Sequence, residues 1–186
     1  MAAAVEQRAF SVTDYHRMVE VGILTEDDRV ELIDGRIIIM SPIGSRHAAC
    51  VKRLNTYLSQ QVGGTAIVSV QDPIQLNDYS EPELDVALLR LRDDFYATSH
   101  PTPEDILLVI EVADTSEAYD REEKIPLYAR SNIPEVWLVS LPKTRVEVYT
   151  EPVADMYRHV RYALPGDTLI VQHISTLQLS VDEIFE

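Results

Sequence analysis

The chain has a single cysteine in 186 residues. Cys50 has no internal disulfide partner and cannot by itself build a cysteine zinc site. Its isolation points to a reducing compartment. Basic residues are also scarce: 16 Lys and Arg face 31 Asp and Glu, a formal net charge of -15. A surface of that sign repels nucleic acid at long range, which excludes a charge-driven DNA coat protein. A local basic groove, a metal site or a dimer cleft remains compatible with nucleic acid. No apolar run reaches transmembrane length, and the N-terminal stretch MAAAVEQRAF lacks a basic region followed by an apolar one. The expectation is a soluble, unexported, cytoplasmic protein with no membrane partner. There is no GxSxG elbow, P-loop or GxGxxG, and the five histidines show neither HxH nor HExxH spacing.

What remains is ordinary globular material, 46% hydrophobic and 25% charged, which excludes a disordered or collagen-like chain. The length suits one domain, and no repeat or Gly/Ser linker interrupts it, so residues 1–186 are expected to form a single domain. Residues 12–20 read as a short helix capped by Ser11 or Thr13. Residues 29–40 read as a hairpin turning at Asp34-Gly35. Residues 45–62 read as an amphipathic helix burying Ala49, Val51, Leu54, Leu58 and Val62, with Cys50 as core packing. Gly63-Gly64 stops it. Strands are expected at 66–71, 74–77 and 84–90, with a surface loop over 91–105. The run Ile-Leu-Leu-Val-Ile-Glu-Val-Ala at 106–113 predicts a strand buried on both faces at the centre of a sheet. A helix over about 117–131 follows, then strands at 135–140, 145–150, about 157–162 and about 176–179, and a short helix at 181–185. The fold class expected is α/β (α+β): a mixed central sheet flanked by helices.

The informative residue is Glu111, a carboxylate inside the most apolar run of the chain. Buried and ionised, it costs several kcal/mol unless paired or bound to a cation. The bland alternative is a Glu at the open end of the strand, bonded to neighbouring backbone. Asp85 opens a second apolar strand, LDVALL, where Asp is uncommon; alone, it would read as a turn-capping residue after Pro82. Together the two acids resemble a divalent-cation site, and hard oxygen ligands favour Mg²⁺ or Mn²⁺ over zinc. Asp120, Lys124 and Tyr128 follow at i, i+4 and i+8, one face of a helix. They fit either a solvated ion pair or, given Ile125 and Leu127 beside them, a helix packed on the sheet. In the packed case Lys124 would hold an attacking water or steady charge on a phosphate. Supporting candidates are Glu31, Gln71 and His47. Glu31 alternates with Val30 and Leu32 and reads equally as a solvent-facing strand residue; a lone His is more often structural.

Several motifs occur together and in order: VELIDGRIIIMSPIGSRHA, then VQDPIQL and EPELDVALLR, then VIEVADTSEAYDREEKIPLYARSNIPEVWLVS. From about residue 10 to 185 the chain resembles the Uma family of restriction-endonuclease-like proteins, a branch of the PD-(D/E)XK nuclease superfamily. The resemblance implies a restriction-endonuclease-like sheet with the site on its splayed strands. On it Asp85 is the motif's Asp and Glu111 its acidic residue. Leu84 stands where the superfamily has proline, and Ala113 where it has lysine. Lys124 then looks like the displaced lysine, and Glu31 matches an early acid that joins the metal site. His47, Asp120 and Tyr128 also match family positions. The implied activity is Mg²⁺-dependent (or Mn²⁺-dependent) hydrolysis of DNA phosphodiester bonds, with Asp85 and Glu111 as ligands assisted by Glu31.

Two other classes stand beside the endonuclease. The charge of -15 and the lysine missing at Ala113 suit a non-catalytic nucleic-acid- or protein-binding module, for which Arg90, Arg92, Arg121 and Arg130 are the local cationic candidates. An acidic surface would also suit a hydrolase of small phosphoesters. Val148, Tyr149, Tyr157 and Tyr162 offer either a homodimer interface or core packing, with core favoured.

Overall fold

A computed structural model describes residues 7–25 and 27–186; the N-terminal stretch MAAAVEQRAF falls in part on residues 1–6 and to that extent lies outside them. Helix α1 (Val12–Glu20) starts at Ser11. The Ser11 hydroxyl accepts the Asp14 backbone N–H while the Asp14 carboxylate accepts that of Ser11, which satisfies two otherwise orphan donors. Strands β1 (Val30–Ile33) and β2 (Arg36–Ile39) form the expected hairpin. Asp34 and Gly35 both take positive φ, 48° and 71°, as a tight two-residue turn requires. A Cβ on Gly35 would lie 2.5 Å from that of Ala9, so this turn demands glycine twice over.

Helix α2 (Ser45–Gln61) buries Cys50, Val51, Leu54 and Leu58; Ala49 is only half-buried. Strands β3 (Ile67–Val70), β4 (Val86–Leu89) and β5 (Ile106–Ala113) follow. After β5 comes one helical stretch in three parts: α3 (Glu117–Tyr119), a π-turn over Asp120–Lys124, and α4 (Ile125–Arg130). Then come β6 (Glu135–Ser140), β7 (Arg145–Val153), β8 (Met156–Ala163), β9 (Thr168–Val171), β10 (Ile174–Ser180) and α5 (Val181–Phe185).

The fold is mixed α/β. Six strands pair in the order β3-β4-β5-β6-β7-β8, and within that sheet only β5 and β6 run parallel. A parallel pair needs a crossover connection, supplied here by α3, the π-turn and α4. β5 is internal, and all eight of its residues are buried. Its side chains alternate between two cores. Leu108, Ile110 and Val112 join α2, α5 and the β9–β10 hairpin on one face. Val109 and Ala113 join Ile125, Leu127 and Tyr128 of α4 on the other. Glu111, between Val109 and Ala113 in the alternation, therefore points towards α4.

Two expectations need correction. Residues 74–77 form no strand; Pro73 pairs with Glu83 and Asn77 with Ser80 only as isolated bridges. Pro73 and Pro82 have no N–H to give, and that breaks a ladder here. β9 is absent from the expected strands, because four residues with only Leu169 and Val171 buried carry too short an alternation to stand out. The tyrosines divide as well: Val148, Tyr149 and Tyr157 are core, whereas Tyr162 is exposed.

Candidate active site

The antiparallel ladder of β4 and β5 ends with Val86 opposite Ile110, and Asp85 stands one residue beyond it. Asp85 is fixed from three sides. Its Oδ2 accepts the Val112 backbone N–H at 2.8 Å, His47 Nε2 from α2 lies 3.0 Å away, and its carbonyl accepts the Gln71 N–H at 3.1 Å. The Asp85 carboxylate beside His47 raises the imidazole's pKa, against the effect of burial. Gln71 itself is exposed at positive φ, so its part in holding Asp85 is played by its backbone.

Glu111 is 2% exposed. Its Oε1 accepts from the Tyr128 hydroxyl and from Lys124 Nζ, the latter at 3.3 Å. Burial drives its pKa up to about 8, opposed by Lys124 and reinforced by Asp85 and Asp120. Burial, with Glu111 beside it, pushes the Tyr128 hydroxyl well above its ordinary range. Lys124 is 6% exposed, so it is no solvated surface residue. Its ammonium also lies 3.3 Å from Glu31 Oε2 and donates to the Glu83 carbonyl at 3.0 Å. Burial favours its neutral form, but Glu111, Glu31, Asp120 and Asp85 outweigh that and keep it protonated.

Glu31 is buried as well, contrary to its solvent-facing alternative. Tyr119 donates to its Oε1 and the Glu83 backbone N–H to its Oε2, both at 3.3 Å. Asp120 is buried and accepts from the Ser116 hydroxyl at 2.6 Å; burial raises its pKa. Glu31, Asp85, Glu111, Asp120 and Lys124 are thus all brought together, with His47 and Tyr128 bonded to the acids.

The helix that carries Asp120, Lys124 and Tyr128 is not a regular α-helix. Ile125 N–H bonds the Asp120 carbonyl, five residues back. Pro126 then has no N–H to continue an α-helical ladder. The wider turn keeps both Asp120 and Lys124 buried. A π-turn inside a helix is often found at functional sites.

Three participants lie outside the candidates that the sequence offers: Glu83, Tyr119 and Ser116. Glu83 carries a signal, since it precedes Asp85 by two residues, the period of one strand face; burial raises its pKa too. Tyr119 carries none, because α-helical spacing does not relate it to Lys124 across a π-turn. The four cationic candidates have protein partners: Arg90 with the Glu104 carbonyl, Arg92 with Asp94, Arg121 with Glu117 and Glu147, and Arg130 with Asp34.

The chemistry of this donor set is consistent. Lys124 is one buried cation facing four acids, all offering oxygen, and two of those acids are driven towards their protonated forms by burial and crowding. Oxygen donors are the ligand type that hard divalent cations prefer, but no three of these acids bring a carboxylate oxygen each within 4.8 Å of the others. The Uma2 family model, described as "Putative restriction endonuclease", matches residues 12–182. A crystal structure of "a putative nuclease belonging to DUF820" from Anabaena variabilis ATCC 29413 aligns with TM-score 0.70 and 17% identity, covering 89% of this chain and 95% of that one. At that identity it speaks for the fold. No curated protein matches.

Proposed function

The chain belongs to the Uma2 family, and from that premise we propose that it is a Mg²⁺- or Mn²⁺-dependent endonuclease acting on DNA. The observation that carries the reading is the Asp85 carboxylate held on β5 by the Val112 N–H, with Lys124 set against the neighbouring Glu111 of that strand. Asp85, Glu111 and Glu31 are the residues that would hold the cation. A bound divalent ion supplies an activated water at neutral pH and neutralises charge on the phosphate.

The protein's own groups have separable tasks. Tyr128 and Lys124 both donate to Glu111 Oε1 and so fix its orientation. His47 and the Val112 N–H do the same for Asp85. Lys124 remains protonated, so it serves as a donor to the attacking water or a stabiliser of phosphate charge, and not as a general base. It stands in for the lysine that the superfamily pattern would put at Ala113. Tyr119 and the Glu83 backbone hold Glu31. Ser116 holds Asp120.

Supercoiled plasmid incubated with purified protein and Mg²⁺ or Mn²⁺ is expected to be nicked or linearised. Glu111→Ala should lower the rate by at least about 100-fold, the scale of losing a group that stabilises transition-state charge, with the circular dichroism spectrum unchanged. Equal rates for the two clean preparations would refute the assignment. The non-catalytic reading keeps one supporting observation, the net charge of -15, and predicts no cleavage by either protein.

A further inference from the structure

A second group of ligating side chains lies outside the acid–lysine pocket. It comprises His16 on α1, Glu81 in the segment before β4, and His100 in the loop after β4. One ligating atom from each lies within 4.8 Å of the other two. The Glu81 side chain is only 3% exposed. Its Oε1 lies 2.7 Å from His16 Nε2. Its Oε2 is buried with no hydrogen-bond partner among the described residues. A buried carboxylate oxygen left unpaired is costly, and the His16–Glu81 pair accounts only for the other oxygen.

We propose that His16, Glu81 and His100 form a binding site for one divalent transition metal of the zinc class, with its fourth position open to solvent. Two imidazoles and one carboxylate are ligands that suit Zn²⁺, Co²⁺ or Ni²⁺, whereas Mg²⁺ prefers an all-oxygen shell. Three protein ligands with one open position is a known zinc arrangement. Bond lengths of about 2.0–2.2 Å place tetrahedral neighbours about 3.4 Å apart, so the 2.7 Å contact of His16 with Glu81 has to open and the wider separations have to close. The fixed member is Glu81. Its backbone N–H bonds the Leu32 carbonyl at 2.8 Å, and its carbonyl accepts the Leu32 N–H at 3.3 Å. The adaptable members are the histidines, both at exposed positions. The adjustment therefore falls on side chains that are free to turn.

This site shares no residue with the acid–lysine pocket and does not depend on the nuclease reading. Its donors differ in kind from the all-oxygen pocket, so the two ions sort by chemistry. Metal binding here would tie α1 to the segments on either side of β4.

The test is titration of metal-free protein with Zn²⁺ by calorimetry, and with Co²⁺ by visible absorption. Wild type should bind one equivalent of Zn²⁺ at this site, and Co²⁺ should give the visible bands of a four-coordinate ion. His16→Ala and His100→Ala should each weaken Zn²⁺ binding by more than about tenfold, since even partners of metal ligands carry losses of that size. Both positions are exposed, so these variants are expected to fold, and their circular dichroism spectra check it. Asp85→Asn should leave the Zn²⁺ affinity of this site unchanged. Absence of Zn²⁺ binding by wild type, or unchanged affinity in both histidine variants, overturns the proposal. So does loss of the Zn²⁺ signal in Asp85→Asn alone, which would put the ion in the acid pocket.

Discussion

Lys124 is the residue on which the buried acids depend. Its ammonium faces Glu111 and Glu31 at 3.3 Å each and is shut away from water. Removing one partner of a buried ion pair leaves the other uncompensated, typically at about 3–5 kcal/mol. Lys124→Met, close in volume and without charge, is therefore expected to lower the unfolding free energy by about 3 kcal/mol in urea titrations without divalent ions. Mg²⁺ should restore part of it. A variant as stable as wild type would show that Lys124 does not compensate these acids. Residue chemistry also decides how much of the site is legible in the sequence. Asp85 and Glu111 stand out because acids are out of place in LDVALL and ILLVIEVA. Glu31 does not, because alternation with Val30 and Leu32 gives it a solvent-facing alternative. The packing of α3 over the hairpin, through the Tyr119 hydroxyl, buries it instead.

At the scale of elements, the segment after β5 both crosses between parallel strands and carries five residues of the site, Ser116, Tyr119, Asp120, Lys124 and Tyr128. Its first turn is anchored by Glu117, whose carboxylate meets Lys143, Arg121 and the Ser140 hydroxyl. Burial pushes the Glu117 pKa up, but those three contacts outweigh it and hold it at about 2, below the ordinary 4.5. A depressed folded-state value means that the unfolded chain takes up a proton first as pH falls. The stabilisation is thus complete above the ordinary carboxylate range and is lost between about pH 4.5 and 2. Across that window the urea midpoint of wild type should fall more steeply than that of Glu117→Gln. Parallel curves would contradict the anchoring role. The periodicity of this segment shows a helix and places its charged face correctly, yet α-helical spacing cannot reveal the π-turn. That turn follows from the hydrogen bond of Ile125 to Asp120 and from Pro126. The same limit explains β9 and the missing strand at 74–77, where pairing is local, short or broken by proline.

Across the whole molecule, the surplus of acids is partly gathered inward. Glu31, Glu81, Glu111, Asp120, Glu135 and Glu147 are all buried. Glu147 is answered by Arg121 and Arg145, and Glu135 by the Trp137 indole and the Gln172 backbone. Other acids concentrate where β4, β5, the hairpin and the π-turn meet. The central strand is legible in the sequence, since an eight-residue apolar run bounded by turn signals suits the inside of a sheet. The gathering of Asp85 and Glu111 is expected from two acids on apolar strands, whereas the contacts that fix each of them, from the Val112 N–H, Tyr128 and Lys124, come from the fold. Among the described residues no helix is long and apolar enough to cross a membrane. With net charge -15, approach to DNA has to rely on local neutralisation, and on the nuclease reading a divalent ion in the pocket supplies it. The most direct test is anomalous diffraction from crystals soaked in Mn²⁺. A manganese peak is expected within coordination distance of both the Asp85 and Glu111 carboxylates, about 2.0–2.6 Å for oxygen ligands of hard divalent ions. A soaked crystal with manganese bound elsewhere, and none between those two side chains, would contradict the assignment.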